Sequence, residues 1–398
     1  MVSLENPCLH RISVFMQNPI YLDCAATTPI DPRVIAAMSQ CLGLDGVFGN
    51  PASSHFYGQQ AAQKIDMARE QVASLIGADS REIIWTSGAT ESINLALKGV
   101  ANFYRDRGKH IITMKTEHKA VLDVCGFLAK NGFEVTYLSP DKNGLLNLDD
   151  LKKALRPDTL LVSIMYVNNE TGVIQPIKEI AEIVKENKSF FHVDAAQALG
   201  KLPINLHDLP IDLMSITAHK IYGPKGVGAL FVRRNPAVRL QALIHGGGHE
   251  LGLRSGTLPT HQIVGMGEAC AILKEKMNTE PALLESLKNH FWMGVKNIPN
   301  VGINGHLEHS ACHILNVYFP GVDSDILMKA LPQLAVSSGS ACTSLAIEPS
   351  HVLQAMGLSD ALAHSSLRFS FGRYTTAAEV GVAAATVREA VIALMMID

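Results

Sequence analysis

Between Gly58 and about Val238 the chain keeps repeating one alternation, a short apolar run followed by a segment of helical period. The strand candidates are Glu82–Thr86, His110–Met114, Phe133–Leu138, Leu160–Met165, Phe190–Val193, Leu213–Ile216 and Gly228–Val232. Ala62, Ile65, Ala68, Val72, Leu75 and Ile76 put one apolar face on a helix over Gln59–Ile76. A further helix is expected from about Ala89, and others near 119–130, 148–155 and 177–187. Strands that are apolar throughout must be buried on both faces, and the intervening helices supply the cover. The pattern predicts an α/β sheet covered on both sides.

The alternation stops near Met277, and the remainder mixes helices with strands such as Ile314–Phe319 and Leu367–Phe371. This predicts two domains: a large one over 30–277, and a smaller α+β one built from 1–29 and 278–398. A chain of 398 residues is long enough for both. With 34 Lys plus Arg against 37 Asp plus Glu, the net charge of −3 excludes a broad nucleic-acid or membrane-surface footprint. Seven cysteines without a CxxC pair read as reduced thiols in a cytoplasmic protein. No apolar run reaches the roughly 20 residues of a membrane helix, and the first 18 residues do not read as a signal peptide or a mitochondrial presequence.

Four features carry chemistry. Thr86-Ser87-Gly88-Ala89-Thr90-Glu91 ends a strand and opens a helix, a junction whose free N–H groups suit a phosphate or an ordinary N-cap. Asp194 closes the strand Phe190–Val193, where open α/β sheets place ligand groups; a helix cap is the plainer reading. Lys220 follows a strand and enters a loop with Gly223, Pro224 and Gly226, a rigid position that solvent can reach and that a Schiff-base lysine needs. Cys342 sits in the Ser/Gly-rich stretch Ser337–Ser344, whose composition predicts an exposed loop and hence a reactive thiol. The other six cysteines fall mostly in apolar patterns and are expected to be buried and inert.

Together with Phe48-Gly49-Asn50-Pro51-Ala52-Ser53-Ser54-His55, Thr116-Glu117-His118-Lys119, Val167-Asn168-Asn169-Glu170, Gly246-Gly247-Gly248-His249-Glu250 and Arg254-Ser255-Gly256-Thr257, these segments give the chain a recognisable order. It resembles the cysteine desulfurases of the iron–sulfur-cluster type, within the class V aminotransferases, from Tyr21 to about Thr376. The resemblance implies the fold-type-I architecture of pyridoxal-phosphate enzymes, with a mostly parallel sheet in the large domain.

It also implies roles. Lys220 would hold pyridoxal 5'-phosphate covalently and shuttle the Cα proton, and Asp194 would pair with the ring nitrogen. His118 would stack on the ring and serve in acid–base steps, while Asn169 and Gln197 would hold its phenolic side. Ala89, Thr90, Thr217 and His219 would bind the phosphate, joined by Thr257 from a second subunit, which implies a homodimer. Arg368, with Asn169, would bind the substrate carboxylate. Cysteine would become alanine, and Cys342 would carry its sulfur as a persulfide to an acceptor protein such as an iron–sulfur scaffold or a sulfur carrier.

Three departures from the family bear on partner choice. Leu251 stands where an Arg is usual, Ala237 replaces a frequent Arg in the basic stretch 233–239, and the chain ends at Asp398. Scaffold binding is therefore expected to be weaker than in relatives. His306, His309, Cys312 and His313 have metal-ligand types. The family supplies no metal there, and none is expected. Selenocysteine lyase is the near alternative, because the same chemistry accepts selenium. An aminotransferase would have no use for Cys342, and a non-catalytic assembly subunit would have no need of Lys220, Asp194 and Cys342 together.

Overall fold

Seven strands form the central sheet of the computed structural model, which describes residues 18–306, 308–338 and 349–396. Across the sheet they lie in the order Ile83–Thr86, Gly228–Val232, Leu213–Thr217, Phe190–Asp194, Thr159–Met165, His110–Met114 and Glu134–Leu138. From Leu213–Thr217 onward every neighbouring pair is parallel. Only Gly228–Val232 runs antiparallel to its neighbours. This is the expected α/β class with a mostly parallel sheet. Alternate side chains enter two cores. Ile84, Ile111, Leu161, Leu213 and Leu230 pack among residues of the helices Ala89–Phe103 and Lys119–Lys130. Trp85, Ile112, Val162, Val193, Met214 and Phe231 pack among those of Phe56–Ile76, Ile177–Glu186 and Thr260–Lys276. Both faces are covered, so the strands read as unbroken apolar runs.

His192 sits fully buried inside this sheet. The His192 ring meets the Ser163 hydroxyl at 2.8 Å and the Ser215 hydroxyl at 2.9 Å, on the strands to either side. Burial pushes its pKa from the ordinary 6.5 down to about 3, so the folded protein holds it neutral. Between those two values the unfolded chain binds one proton more than the folded one. Stability therefore falls as the pH drops through that window, by at most about 1.4 kcal/mol per pH unit. Urea midpoints of the wild-type protein should decline more steeply below pH 6.5 than those of His192→Gln. Parallel declines would remove His192 as a source of acid lability.

Beyond the helix Thr260–Lys276 the chain builds a separate core. Ser366–Ser370, Ile314–Tyr318 and Gly302–Ile303 form an antiparallel sheet. Leu367, Phe369 and Phe371 alternate into its core with Phe291 of Glu280–Val295 and Val380 of Ala377–Met395. The last of these helices starts at a capping box, in which Thr376 and Glu379 each satisfy the other's backbone N–H. Ile20–Tyr21 pairs in parallel with Leu334–Ala335, and Leu22 enters the same core. No helix among the described residues is long and apolar enough to cross a membrane.

A buried chain of charges links residues of distant segments. Lys201 lies 3.3 Å from Glu280, Glu280 lies 2.7 Å from Arg373, and Arg373 lies 2.7 Å from Asp31. The Arg373 guanidinium stacks 4.1 Å over the Tyr222 ring, and the Arg373 backbone N–H donates to the Tyr222 hydroxyl at 2.6 Å.

Candidate active site

The carboxyl ends of the parallel strands open onto a cavity of about 560 Å³, where an open α/β sheet presents its ligand groups. Four of these strands deliver a side chain there by their own endings. Phe190–Asp194 ends on the buried Asp194, whose Oδ1 accepts the Ala196 N–H at 3.0 Å. Leu213–Thr217 ends on Thr217, and the turn beyond it carries His219 and Lys220 to the same wall. Asn169 follows Thr159–Met165, and His118 follows His110–Met114.

The Ile83–Thr86 strand lies two places away from Leu213–Thr217, across the antiparallel Gly228–Val232. Thr86, Gly228 and Thr217 stand in one register row. Gly228 allows the approach: a Cβ there would lie 2.7 Å from the Gly88 Cα. Gly88 itself takes φ +151°, in the region that favours glycine. The helix Ala89–Phe103 begins with no side-chain cap, which leaves first-turn N–H donors at Ala89 and Thr90 on the cavity wall.

His118 Nδ1 accepts the Ala120 N–H at 3.1 Å, so the neutral ring carries its proton on Nε2. Burial pushes its pKa down, and the nearby Lys220 and His351 act in the same direction against Asp194. Burial also holds His219 down to about 4, with Lys220 and Lys225 adding to the effect. The Gln197 amide is engaged at both ends, with Nε2 donating to Ala25 O at 2.8 Å and Oε1 facing His313 Nε2 at 3.2 Å.

Arg368 comes from Ser366–Ser370, where the strand alternation turns it away from Leu367 and Phe369. Its Nη1 donates to Asn169 O at 2.7 Å and its Nη2 to Asp23 Oδ1 at 2.8 Å, while its buried Nε has no partner.

Of the residues assigned from sequence, Ala89, Thr90, His118, Asn169, Asp194, Gln197, Thr217, His219, Lys220 and Arg368 all line this one cavity. Thr257 does not; it is exposed on the loop before Thr260–Lys276. Cys342 lies outside the described residues. The chain leading toward it is tied to the site by the Arg368 N–H, which donates to Ser337 O at 2.7 Å. The chain leaving it is tied by Ser350, whose hydroxyl donates to the buried Glu170 next to Asn169.

Several contributors were not read from the sequence. Asp23 holds Arg368, and Thr27, Glu91 and Lys225 line the cavity. Glu117 stands behind His118, buried, with Oε1 accepting the Met165 N–H at 2.8 Å and Oε2 unpartnered. Burial raises its pKa well above the ordinary carboxylate value, against the Met165 N–H bond, which lowers it. His313 supports Gln197 from a segment that carries metal-ligand residue types but for which no metal was expected. Among the described residues no group of three or more His, Cys, Asp or Glu side chains is placed to hold a metal ion. The five described cysteines, Cys24, Cys41, Cys125, Cys270 and Cys312, are buried, and burial pushes the thiols of Cys24, Cys125 and Cys270 up to about 12.

The donor set fits a cofactor with a phosphate at one end and a protonatable ring nitrogen at the other. The uncapped helix start answers the phosphate, and Asp194 answers the nitrogen. Lys220 supplies an amine to the same cavity, and the orphaned Arg368 Nε supplies a donor for an anion.

Comparison with known proteins points the same way. The aminotransferase class-V profile matches residues 20–382. A cysteine desulfurase IscS from Shewanella sediminis (strain HAW-EB3) is 60% identical over 377 residues, covering 94% of this chain and 93% of that protein. Among solved structures, a NifS-like protein shares 39% identity and a TM-score of 0.87, covering 93% of this chain and 98% of its own. A structure described as SspA in complex with cysteine shares 39% identity and a TM-score of 0.79, covering 90% of this chain and 100% of its own.

Proposed function

The chain belongs to the aminotransferase class-V family, and from that premise we propose that this cysteine desulfurase holds pyridoxal phosphate on Lys220 and passes the sulfur of L-cysteine to Cys342. The observation that carries the reading is the convergence of Lys220, Asp194, His118 and an uncapped helix start on one cavity. Ala89, Thr90, Thr217 and His219 would hold the phosphate, and Asp194 the ring nitrogen. Asn169 and Gln197 would hold the opposite side of the ring. Pyridoxal phosphate supplies, when bound, an electron sink that weakens the bonds around the amino-acid Cα.

The chain's own residues do the rest. Arg368 binds the substrate carboxylate, for which its buried Nε is the spare donor. Lys220 takes the Cα proton. His118 is neutral, with its proton on Nε2, and serves as the second proton carrier. The Cys342 thiolate attacks the substrate sulfur, so that a sulfur–sulfur bond forms as the carbon–sulfur bond breaks. The carbon left behind takes a proton and departs as alanine.

A homodimer fits the exposed apolar cluster of Phe48, Phe56 and Tyr57, whose rings lie 5.2 Å (Phe48–Tyr57) and 5.7 Å (Phe56–Tyr57) apart. Thr257 would act across that interface, the acceptor would be a scaffold or carrier protein, and the enzyme would work in the cytoplasm, where thiols stay reduced.

The test is Cys342→Ser. The variant is expected to bind pyridoxal phosphate and cysteine as the wild type does, yet pass no sulfur to an acceptor, because a hydroxyl is a far poorer nucleophile toward sulfur than a thiolate. Sulfur delivery at the wild-type rate would take the carrier role away from Cys342.

A further inference from the structure

The turn that would hold the phosphate carries an apparent contradiction. Glu91, the third residue of the helix Ala89–Phe103, lines the same cavity as Ser87, Gly88, Ala89 and Thr90. A carboxylate in the first turn of a helix is drawn to the very N–H groups and positive pole that would attract a phosphate, and it repels a second anion there. The structure turns Glu91 aside. Its Oε2 accepts the Ser87 N–H at 2.7 Å, and Arg254 grips it with Nε to Oε1 at 2.9 Å and Nη2 to Oε2 at 3.4 Å. The side chains are only 15% and 19% exposed, so water screens the pair weakly. Although burial pushes the Glu91 pKa up, its bonds to Arg254 and Ser87 outweigh burial and hold it below the usual carboxylate value. Glu91 is thus a fixed anion beside the phosphate site.

Arg254 is itself firmly seated. Four residues earlier on its segment, Glu250 accepts the Trp85 N–H at 2.7 Å and pairs with Arg69 at 2.7 Å. Arg69 also donates to Ile83 O at 2.5 Å. Ile83–Thr86 is an edge strand, and this pair satisfies its outer N–H and C=O as a neighbouring strand would. The segment 250–254 is therefore bolted to the chain on both sides of the turn.

We propose that Arg254 is a positioning residue for the phosphate-binding turn: it cancels the charge of Glu91 and holds that carboxylate on the Ser87 N–H, leaving the helix start to the cofactor phosphate. The inference rests on the cofactor reading above.

The test compares the apparent dissociation constants of pyridoxal phosphate and of pyridoxal, which lacks the phosphate, by absorbance titration of the apo dimer. Arg254→Gln should weaken pyridoxal phosphate by about tenfold or more, the change that 1.4 kcal/mol produces, and pyridoxal by less than about threefold. Adding Glu91→Gln to it removes the uncompensated charge and should recover most of the lost affinity. Equal losses for the two ligands, or a double variant no better than Arg254→Gln, would overturn the proposal. A wild-type protein that binds neither ligand would instead overturn the cofactor reading, and this inference with it. Thermal melting of each apo variant separates misfolding from lost affinity. If Arg254→Gln does not fold, Arg254→Lys keeps the charge without the fork. It should lose less than about threefold for pyridoxal phosphate, and a larger loss shared by pyridoxal would overturn the proposal.

Discussion

Lys220→Ala is expected to lose alanine formation from cysteine while remaining folded. Loss of a positioned acid–base group alone costs about 10²–10⁴-fold. Here the same residue is also the proposed covalent anchor, so the remaining activity should sit at the lower end or below detection. Lys220 follows the buried strand Leu213–Thr217 by three residues, in a turn pinned by Tyr222, whose N–H donates to Thr28 Oγ1 at 2.8 Å. Lys225 lines the same cavity from the exposed part of that loop and is the natural competitor. Borohydride treatment of the wild-type protein followed by peptide mapping distinguishes them. Cofactor fixed to Lys220, and none fixed in Lys220→Ala, is the expected result. Cofactor fixed to Lys225 would reassign the anchor.

The second large effect is on stability. Glu280 is 4% exposed and is shared by Lys201 and Arg373, two cations that are themselves buried. Glu280→Ala leaves Lys201 without its partner and leaves Arg373 with Asp31 alone. Breaking a buried pair from one side costs about 3–5 kcal/mol, because the remaining charge has no water to turn to. The network also pins Tyr222, a fully buried side chain on a backbone with φ +64°. Strain of that kind persists only where the surroundings over-determine it. Urea unfolding of Glu280→Ala should therefore show a loss of that size, and the Lys220 loop should become more accessible to protease before global unfolding. A loss within about 0.5 kcal/mol, the range of ordinary surface substitutions, would mean that the network is not holding the loop.

The sheet and most of the strand endings that line the cavity were legible because local signals sufficed. Unbroken apolar runs mark buried strands, and a polar or basic residue directly after such a run marks the ligand end of a parallel sheet. Asp194 and Lys220 were singled out from such positions, one at a strand end and one three residues beyond, and the roles expected of them came from the family resemblance. Small boundary differences have local causes: Glu82, read as the first residue of a strand, belongs to a 3₁₀ turn that Asp79 closes with a capping box. Other parts of the site left no such trace. Arg368 meets Asp23 across 345 residues, and Arg254 meets Glu91 across 163. A charged residue in a loop reads the same whether its partner is water or a distant carboxylate, and only the folded topology decides between them. His313 carries the same lesson in reverse. Its spacing resembled a metal ligand, yet its ring is buried against Gln197.

The most direct test of the whole account is a single turnover. The purified protein with bound pyridoxal phosphate is mixed with one equivalent of L-cysteine and no reductant, alanine is quantified, and the peptide bearing Cys342 is weighed by mass spectrometry. One alanine per persulfide is expected, with the added sulfur atom on Cys342. Alanine formed with the sulfur on another cysteine, or a persulfide on Cys342 with no alanine, would contradict it.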